Sequence, residues 1–379
     1  MKFSCTQEIF AEGLQTVSKA IASHTTLPVL DNILLKAEGS VLYLTATDLE
    51  ISIETYIDVD IQEEGTITIP AKLLVQYVTL LPAHTTINVE TTAGSAMSIT
   101  SPTSNTKIKG IAAEEFPIIP KVEEYFVFQI DRKDFIDSLG KTLFSASSNT
   151  TRPILAGVFF SVKEKELILA STDSFRLSQK KMLVHTSDDL ESMKMIVPSK
   201  TLGEVMRVFT KDDLKNQQLI VHVARNQVLF ECGGTKLTSR LIEGEFPDYK
   251  QIIPAEKRTT LVVASSEFLL GLKRVSLFAK ENNFNVKFDI KPEEKILAIY
   301  SDASEIGEEQ TTIPLLEVQG EGMKIALNSQ YVIEFLNHIG TDTLELACVQ
   351  PLSAAVFAPC TEKGQVDSSY LHLIMPLRN

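Results

Sequence analysis

The sequence predicts an α+β protein made of three tandem copies of one unit, each pairing two helices with antiparallel strands. Three observations carry that expectation: a phrase that recurs at a fixed offset, two helical stripes that each recur three times, and alternating strand-like stretches between them. The phrase is "YLTATDLEISI" at 43–53, which returns as "ILASTDSFRLS" at 168–178. Aligning Thr47-Asp48 on Thr172-Asp173 gives an offset of 125 (172 − 47), which also carries Leu27-Pro28-Val29-Leu30 onto Arg152-Pro153-Ile154-Leu155. A period this long marks one structural unit used more than once.

The first helix of each unit shows Phe and Leu at i, i+4: Phe10 and Leu14, Phe135 and Leu139, then Phe268 and Leu272 within "EFLLGLKRV". Stretches such as "VLYLTATDLEISIET", "ELILASTDSFRLS" and "KLTSRLIEG" follow, alternating apolar with polar residues as half-buried antiparallel strands do. The second helix is written three times, as "IPAKLLVQYVTLL", "VPSKTLGEVMRVF" and "LNSQYVIEFLNHI". Their apolar residues superpose as Leu74/Leu202/Val332, Tyr77/Val205/Phe335, Val78/Met206/Leu336 and Leu81/Phe209/Ile339, one face of a helix. Ser199 and Ser329 stand where a capping oxygen is needed. Each unit therefore reads helix, strands, helix, strands. "EEFPIIP" at 114–120 and "GEFPDYKQIIP" at 244–254 echo each other just before the boundaries, which fall near Glu124 and Glu256 and divide the chain into 1–124, 125–256 and 257–379.

Composition is consistent with this. At 379 residues the chain exceeds one ordinary domain, and its 44% hydrophobic and 22% charged residues suit a packed globular protein. The opening MKFSCTQEIF has no apolar signal core, and no run approaches the roughly 18 apolar residues of a spanning helix, so a cytoplasmic location without membrane is expected. A net charge of −13 argues against gripping nucleic acid over the whole surface but leaves room for a locally basic channel.

Cys5, Cys232, Cys348 and Cys360 are far apart with no CxxC, which favours buried thiols over zinc or disulfides. The six histidines never fall at ligand spacing, and "ECGGTKLTS" at 231–239 lacks P-loop spacing. Asp188-Asp189, Asp212-Asp213 and Glu293-Glu294 are adjacent pairs in loop-like contexts, not a two-metal cluster. No catalysis and no cofactor are expected. The repeated Thr-Asp reads as a turn in which Asp bonds its own backbone.

The three units, Ser171-Thr172-Asp173 with Arg176-Leu177, "EFPDYKQIIP" and the ending "IMPLRN" together resemble the bacterial DNA polymerase III beta subunit, the sliding clamp, over the whole chain. The resemblance implies three tandem DNA-clamp domains and a head-to-tail homodimer closed into a ring around double-stranded DNA without sequence preference. It also implies partnership with the replicative DNA polymerase, the clamp loader and repair proteins. A heterologous contact closes only if its rotation does, and a unit repeated three times per chain supplies near-equal rotations. The alternative from another class is a compact three-domain module binding carbohydrate or peptide, with no ring.

By the same resemblance, a partner-peptide groove is expected from Thr172, Ser174, Phe175, Arg176 and Leu177, with Pro247, Gln251 and Ile252, then Leu352, Ile374, Met375, Pro376, Leu377 and Arg378. Arg176 and Arg378 are expected to receive carboxylates at its rim, and the tail to move as a gate. Ser174-Phe175 stand where the family often has Gly followed by His or Tyr, Gln251 replaces a basic residue, and Asn379 replaces an apolar end. These departures bear on which peptide is preferred. Lys19, Lys72, Lys141, Lys200, Arg207, Lys211, Lys273 and Arg274 lie off the apolar stripes and are expected to face DNA, with His24 and Asn149 as loop contacts. The dimer seam is expected to join Thr106 and Ile108 to the helix end at Leu277 and Phe278.

Overall fold

The structure, a computed structural model, describes residues 1–21, 27–120, 122–123, 126–149, 151–186, 192–210, 217–302 and 307–377. The expected boundary at Glu124 and the pairs Asp188-Asp189 and Asp212-Asp213 lie outside them. Six helices form among the described residues: α1 (Gln7–Val17), α2 (Ala71–Leu80), α3 (Arg132–Thr142), α4 (Ser199–Phe209), α5 (Ser265–Ala279) and α6 (Ser329–Ile339). Phe10, Leu14, Phe135, Leu139, Phe268 and Leu272 are all fully buried, as the first stripe requires. The second stripe is buried at Leu74, Leu202 and Val332 and again at Leu81, Phe209 and Ile339. Tyr77 and Met206 are only half-buried, and the Tyr77 hydroxyl shares a 2.9 Å hydrogen bond with Ser104. Helices of 10–15 residues are marginal alone, so these buried side chains, each worth roughly 1.5–3 kcal/mol, hold them in place.

Two features differ from the sequence reading. Each copy starts with a strand before its first helix: Lys2–Thr6, Phe126–Asp131 and Thr259–Ala264. Their alternating burial is the period-2 signal, too short to stand out beside the helical stripes. The cap of α6 is Asn328, whose side chain accepts from Gln330 N at 2.9 Å. Ser329 is instead the first helical residue, buried with its hydroxyl 3.0 Å from Ser276 of α5.

The chain forms two compact units. The first holds Met1–Lys133, Val184–Leu190 and Lys200–Leu241, the second Asp134–Leu183, Glu191–Ser199 and Ile242–Asn379. In the first unit a five-stranded sheet ends on the edge strand Asn105–Lys109, and α1 packs on α2. Its nine-stranded sheet joins Ile51–Asp58 of the first copy to Thr235–Arg240, the last strand of the second, with Leu237 opposite Ile53. In the second unit the same joint recurs one copy later. Arg176–Leu183 pairs antiparallel with Tyr370–Ile374, Leu177 facing Leu373, within another nine-stranded sheet. The four-stranded sheet of that unit ends on the edge strand Gln310–Pro314. All four cysteines are buried, and burial pushes the thiols of Cys5 and Cys348 up to about 12, far from reactivity.

Candidate partner-binding site

The repeated phrase is a turn. Thr172 Oγ1 donates to Arg176 O at 2.6 Å and accepts from Ser174 N at 3.1 Å, while Asp173 Oδ1 accepts from Phe175 N at 2.9 Å and Arg176 N at 3.0 Å. The first copy repeats it: Thr47 Oγ1 bonds Ile51 O and Leu49 N, and Asp48 Oδ1 accepts from Glu50 N and Ile51 N. Even the left-handed residue recurs, at Leu49 (φ 75°) and Ser174 (φ 81°). Ser174 thus sits in a conformation that suits glycine. In the third copy Asp302 instead accepts from Lys287 Nζ at 2.5 Å.

In the second unit this turn forms one wall of a cavity of about 500 Å³. Thr172, Ser174, Leu177, Pro247 and Ile252 come together there as expected, joined by Arg152, Pro153, Ile154, Leu155, Glu245, Asp248 and Tyr249. Nothing in the sequence ties the last seven to this site, although Arg152 to Leu155 belong to a repeated phrase. Beneath the cavity, Leu177 packs with Ala170, Tyr249, Ala354 and Leu373, and Phe159 stacks on Phe246 at 5.1 Å. The Tyr249 hydroxyl donates to Gln179 Oε1 at 2.8 Å, and burial pushes it up to about 12, so it stays a neutral donor. Gly244, at φ 126°, makes the Ile154 wall possible, because a Cβ there would stand 2.8 Å from Ile154 Cδ1.

Strand alternation corrects two expected groove residues. Arg176 and Ile374 are opposite each other and face the core beside α6, whereas their neighbours Leu177 and Leu373 face the cavity side. Arg176 is therefore not a rim receptor for carboxylates. Its Nε bonds Asp173 Oδ2 at 3.0 Å, Nη1 bonds the Glu334 carboxylate, Nη2 bonds Phe144 O at 2.9 Å, and the guanidinium lies 4.6 Å from the Tyr331 ring centre. Ile374 is fully buried. Met375, Pro376 and Leu377 are half-buried and outside the cavity lining. Met375 N donates to Phe175 O at 2.8 Å and Leu377 N to Ala326 O at 2.9 Å, which fastens the tail expected to move. Phe175 and Leu352 are exposed, at 58% and 70%. Gln251 donates to Asp248 Oδ2 at 2.9 Å, and Arg378 lies outside the described residues.

Most of the basic residues expected to meet DNA are paired within the chain. Lys141 bonds Asp137 at 2.7 Å with only 17% of its side chain exposed, Lys200 bonds Asp48 at 3.1 Å, and Arg207 bonds Glu204 at 3.1 Å. Lys19 Nζ donates to Arg207 O, Arg274 to Thr311 Oγ1, and Asn149 accepts from Thr151 N. Lys72 and Lys273 are exposed, while His24 and Lys211 lie outside the described residues. Exposed pairs are worth about 0–1 kcal/mol, so a phosphate can compete for Lys200 and Arg207.

At the expected seam, Thr106 is half-buried on the edge strand and Leu277 is 70% exposed on α5. Ile108 is buried opposite Met97, and Phe278 is half-buried beside Gly307, so both are engaged in their own surroundings. No group of three or more potential metal ligands, and no helix long and apolar enough to cross a membrane, occurs among the described residues.

Repeated helix pairs, sheets joined copy to copy and an apolar cavity beside one joint define a protein of the clamp class. Sequence models of the DNA polymerase III beta subunit match throughout: the N-terminal domain over 1–120, the central domain over 129–248 and the C-terminal domain over 250–378. The beta sliding clamps of Halalkalibacterium halodurans and Bacillus subtilis are each 31% identical over 388 residues, covering 100% of both chains. The crystal structure of the Bacillus subtilis DNA polymerase sliding clamp superposes with a TM-score of 0.93 at 29% identity, over 100% of this chain and 99% of that one. The beta subunit of Streptococcus pyogenes DNA polymerase gives 0.92 at 26% identity, over 100% of both. The chain belongs to the DNA polymerase III beta subunit family.

Proposed function

We infer that the chain is a processivity factor without catalytic activity, a ring around duplex DNA that tethers a replicative polymerase in the cytoplasm. The observation carrying the ring is a pair of open edges. Within the chain, Ile51–Asp58 and Arg176–Leu183 each pair with the last strand of the next copy. The corresponding strand of the third copy, Gln310–Pro314, and the last strand of the first copy, Asn105–Lys109, both stand at sheet edges. Each is the half of a joint that the other would complete. A second chain would pair its Asn105–Lys109 with the first chain's Gln310–Pro314, and the reciprocal contact would close a head-to-tail dimer. Lys107 and Lys109 on one edge and Glu308 and Glu309 beside the other supply opposite charge, and exposed Leu277 supplies apolar area.

The domain divisions 1–124, 125–256 and 257–379 follow from the same repeat. Family membership supports the clamp over a sugar-binding or ringless module. The cavity by Leu177 and Tyr249 is the proposed dock for apolar peptide segments of the polymerase, the clamp loader and repair proteins. Lys72, Lys200, Arg207 and Lys273 are the proposed DNA contacts, weak enough to slide because few counterions are released. Retention on DNA tests the ring. The chain should stay on closed circular duplex and leave linear duplex within seconds, and equal retention on both would refute encirclement. Ile252→Asp, which puts a charge into the cavity lining, should leave the dimer mass intact and abolish binding of a fluorescent polymerase tail peptide.

A further inference from the structure

A second cavity, of about 640 Å³, opens on the nine-stranded sheet of the first unit and has no part in the proposed function. Tyr43 and Tyr56 stand directly opposite each other on neighbouring strands, ring centres 6.3 Å apart and planes tilted by 57°. Both rings are exposed, at 43% and 49%. The hairpin at Gly234 is shaped to the second ring: at φ 76° a Cβ there would stand 2.4 Å from Tyr56, so only glycine lets the ring lie over the turn.

Beside the rings stand two carboxylates and one ammonium. Lys236 is opposite both Glu54 and Glu231 in the strand register, and its Nζ approaches Glu231 Oε1 at 3.7 Å. The Glu54 carboxylate makes no hydrogen bond or ion pair among the described residues. Burial raises its carboxyl above the usual range, with Lys236 drawing it back. Counting Glu54, Glu231 and Lys236, the lining carries a net charge of −1 (two carboxylates, one ammonium).

We propose that this cavity binds the guanidinium of an arginine presented by a basic segment of a partner protein. An exposed aromatic pair attracts a cation to its ring faces, and a planar guanidinium stacks there while its fork reaches an unsatisfied carboxylate. Lysine offers the charge without the plane. An acidic or phosphorylated group meets the wrong sign, and an apolar group leaves Glu54 unsatisfied. The inference is independent of the ring and of the cavity near Leu177.

The test uses the full chain labelled with 3-fluorotyrosine, with Tyr43→Phe and Tyr56→Phe assigning the two fluorine resonances. The tripeptide acetyl-Gly-Arg-Gly-amide is titrated alongside its lysine and citrulline counterparts. The arginine peptide should move both resonances along one saturable curve, the lysine peptide should bind at least about 5-fold more weakly, and neutral citrulline should leave them in place. Glu54→Gln should weaken the arginine peptide about 10-fold, the loss of one charge-assisted contact. Lys236→Gln removes the competing ammonium and makes the lining more negative, and should tighten binding several-fold, a gain that misfolding does not produce. Equal response to citrulline or lysine, shifts that never saturate, unchanged affinity in Glu54→Gln, or no gain in Lys236→Gln would each overturn the assignment.

Discussion

Replacing Asp173 by Ala should cost more than replacing its counterpart Asp48, although both belong to the same repeated turn. Asp48→Ala removes one oxygen that accepts from two backbone amides and a pair with Lys200, whose side chain is 71% exposed. At about 1 kcal/mol per amide bond and 0–1 for the exposed pair, the loss is roughly 2 kcal/mol. Asp173→Ala removes the equivalent acceptor of two amides and also the 3.0 Å partner of Arg176 Nε, a guanidinium side chain only 9% exposed. A charged hydrogen bond to a buried partner adds about 1.5–3 kcal/mol, bringing the loss to about 4 kcal/mol. The chain has no tryptophan, so urea unfolding is followed by far-UV circular dichroism. With a slope near 3 kcal/mol per molar, the midpoint should fall by about 1.3 M for Asp173→Ala and about 0.7 M for Asp48→Ala. Equal midpoints would refute the burial argument for Arg176. An unchanged midpoint with lost peptide binding would make Asp173 a ligand contact instead of a turn residue.

Ser174→Gly relieves the left-handed strain at φ 81° and should stabilise the second unit by about 0.5–1 kcal/mol, read from the same urea midpoint. It also deletes the hydroxyl that Arg152 reaches at 3.4 Å, so the peptide preference of the cavity should change in a binding panel. Leu277→Asp places a charge on the exposed end of α5 and should halve the native mass by light scattering, with a folded circular dichroism spectrum retained. His372 is held neutral well below its ordinary pKa, by burial first and then by Arg176 and His338. Below about pH 6.5 the unfolded histidine takes up a proton that the folded one refuses, so stability should fall with falling pH by up to ~1.4 kcal/mol per unit. His372→Leu should flatten that slope between pH 6.5 and about 5.5, and a wild-type slope in the variant would assign it to another group.

The parts legible in the sequence were those with a period. Phe10, Phe135 and Phe268 recur at helical spacing, and the Thr-Asp turn recurs at offset 125, so helices, copies and the turn's structural role could be read directly. Arg176 was misplaced because its direction depends on register. Its number follows the turn, but only pairing with Ile374 decides that it faces α6 while Leu177 faces the cavity. A strand's side chains reverse face with a shift of one residue, and a pairing between residues almost 200 apart leaves no local mark. The cavity wall from Arg152 to Leu155 and Tyr249 was hidden for a related reason: chain folding, not spacing, brings these segments together. Arg176 nonetheless links the two kinds of information. Its Nε is tied to the turn through Asp173, and Nη1 to α6 through Glu334, so one guanidinium joins the repeated turn beside the cavity to a helix of the same unit, with no part played by the tail, whose amides at Met375 and Leu377 are already engaged.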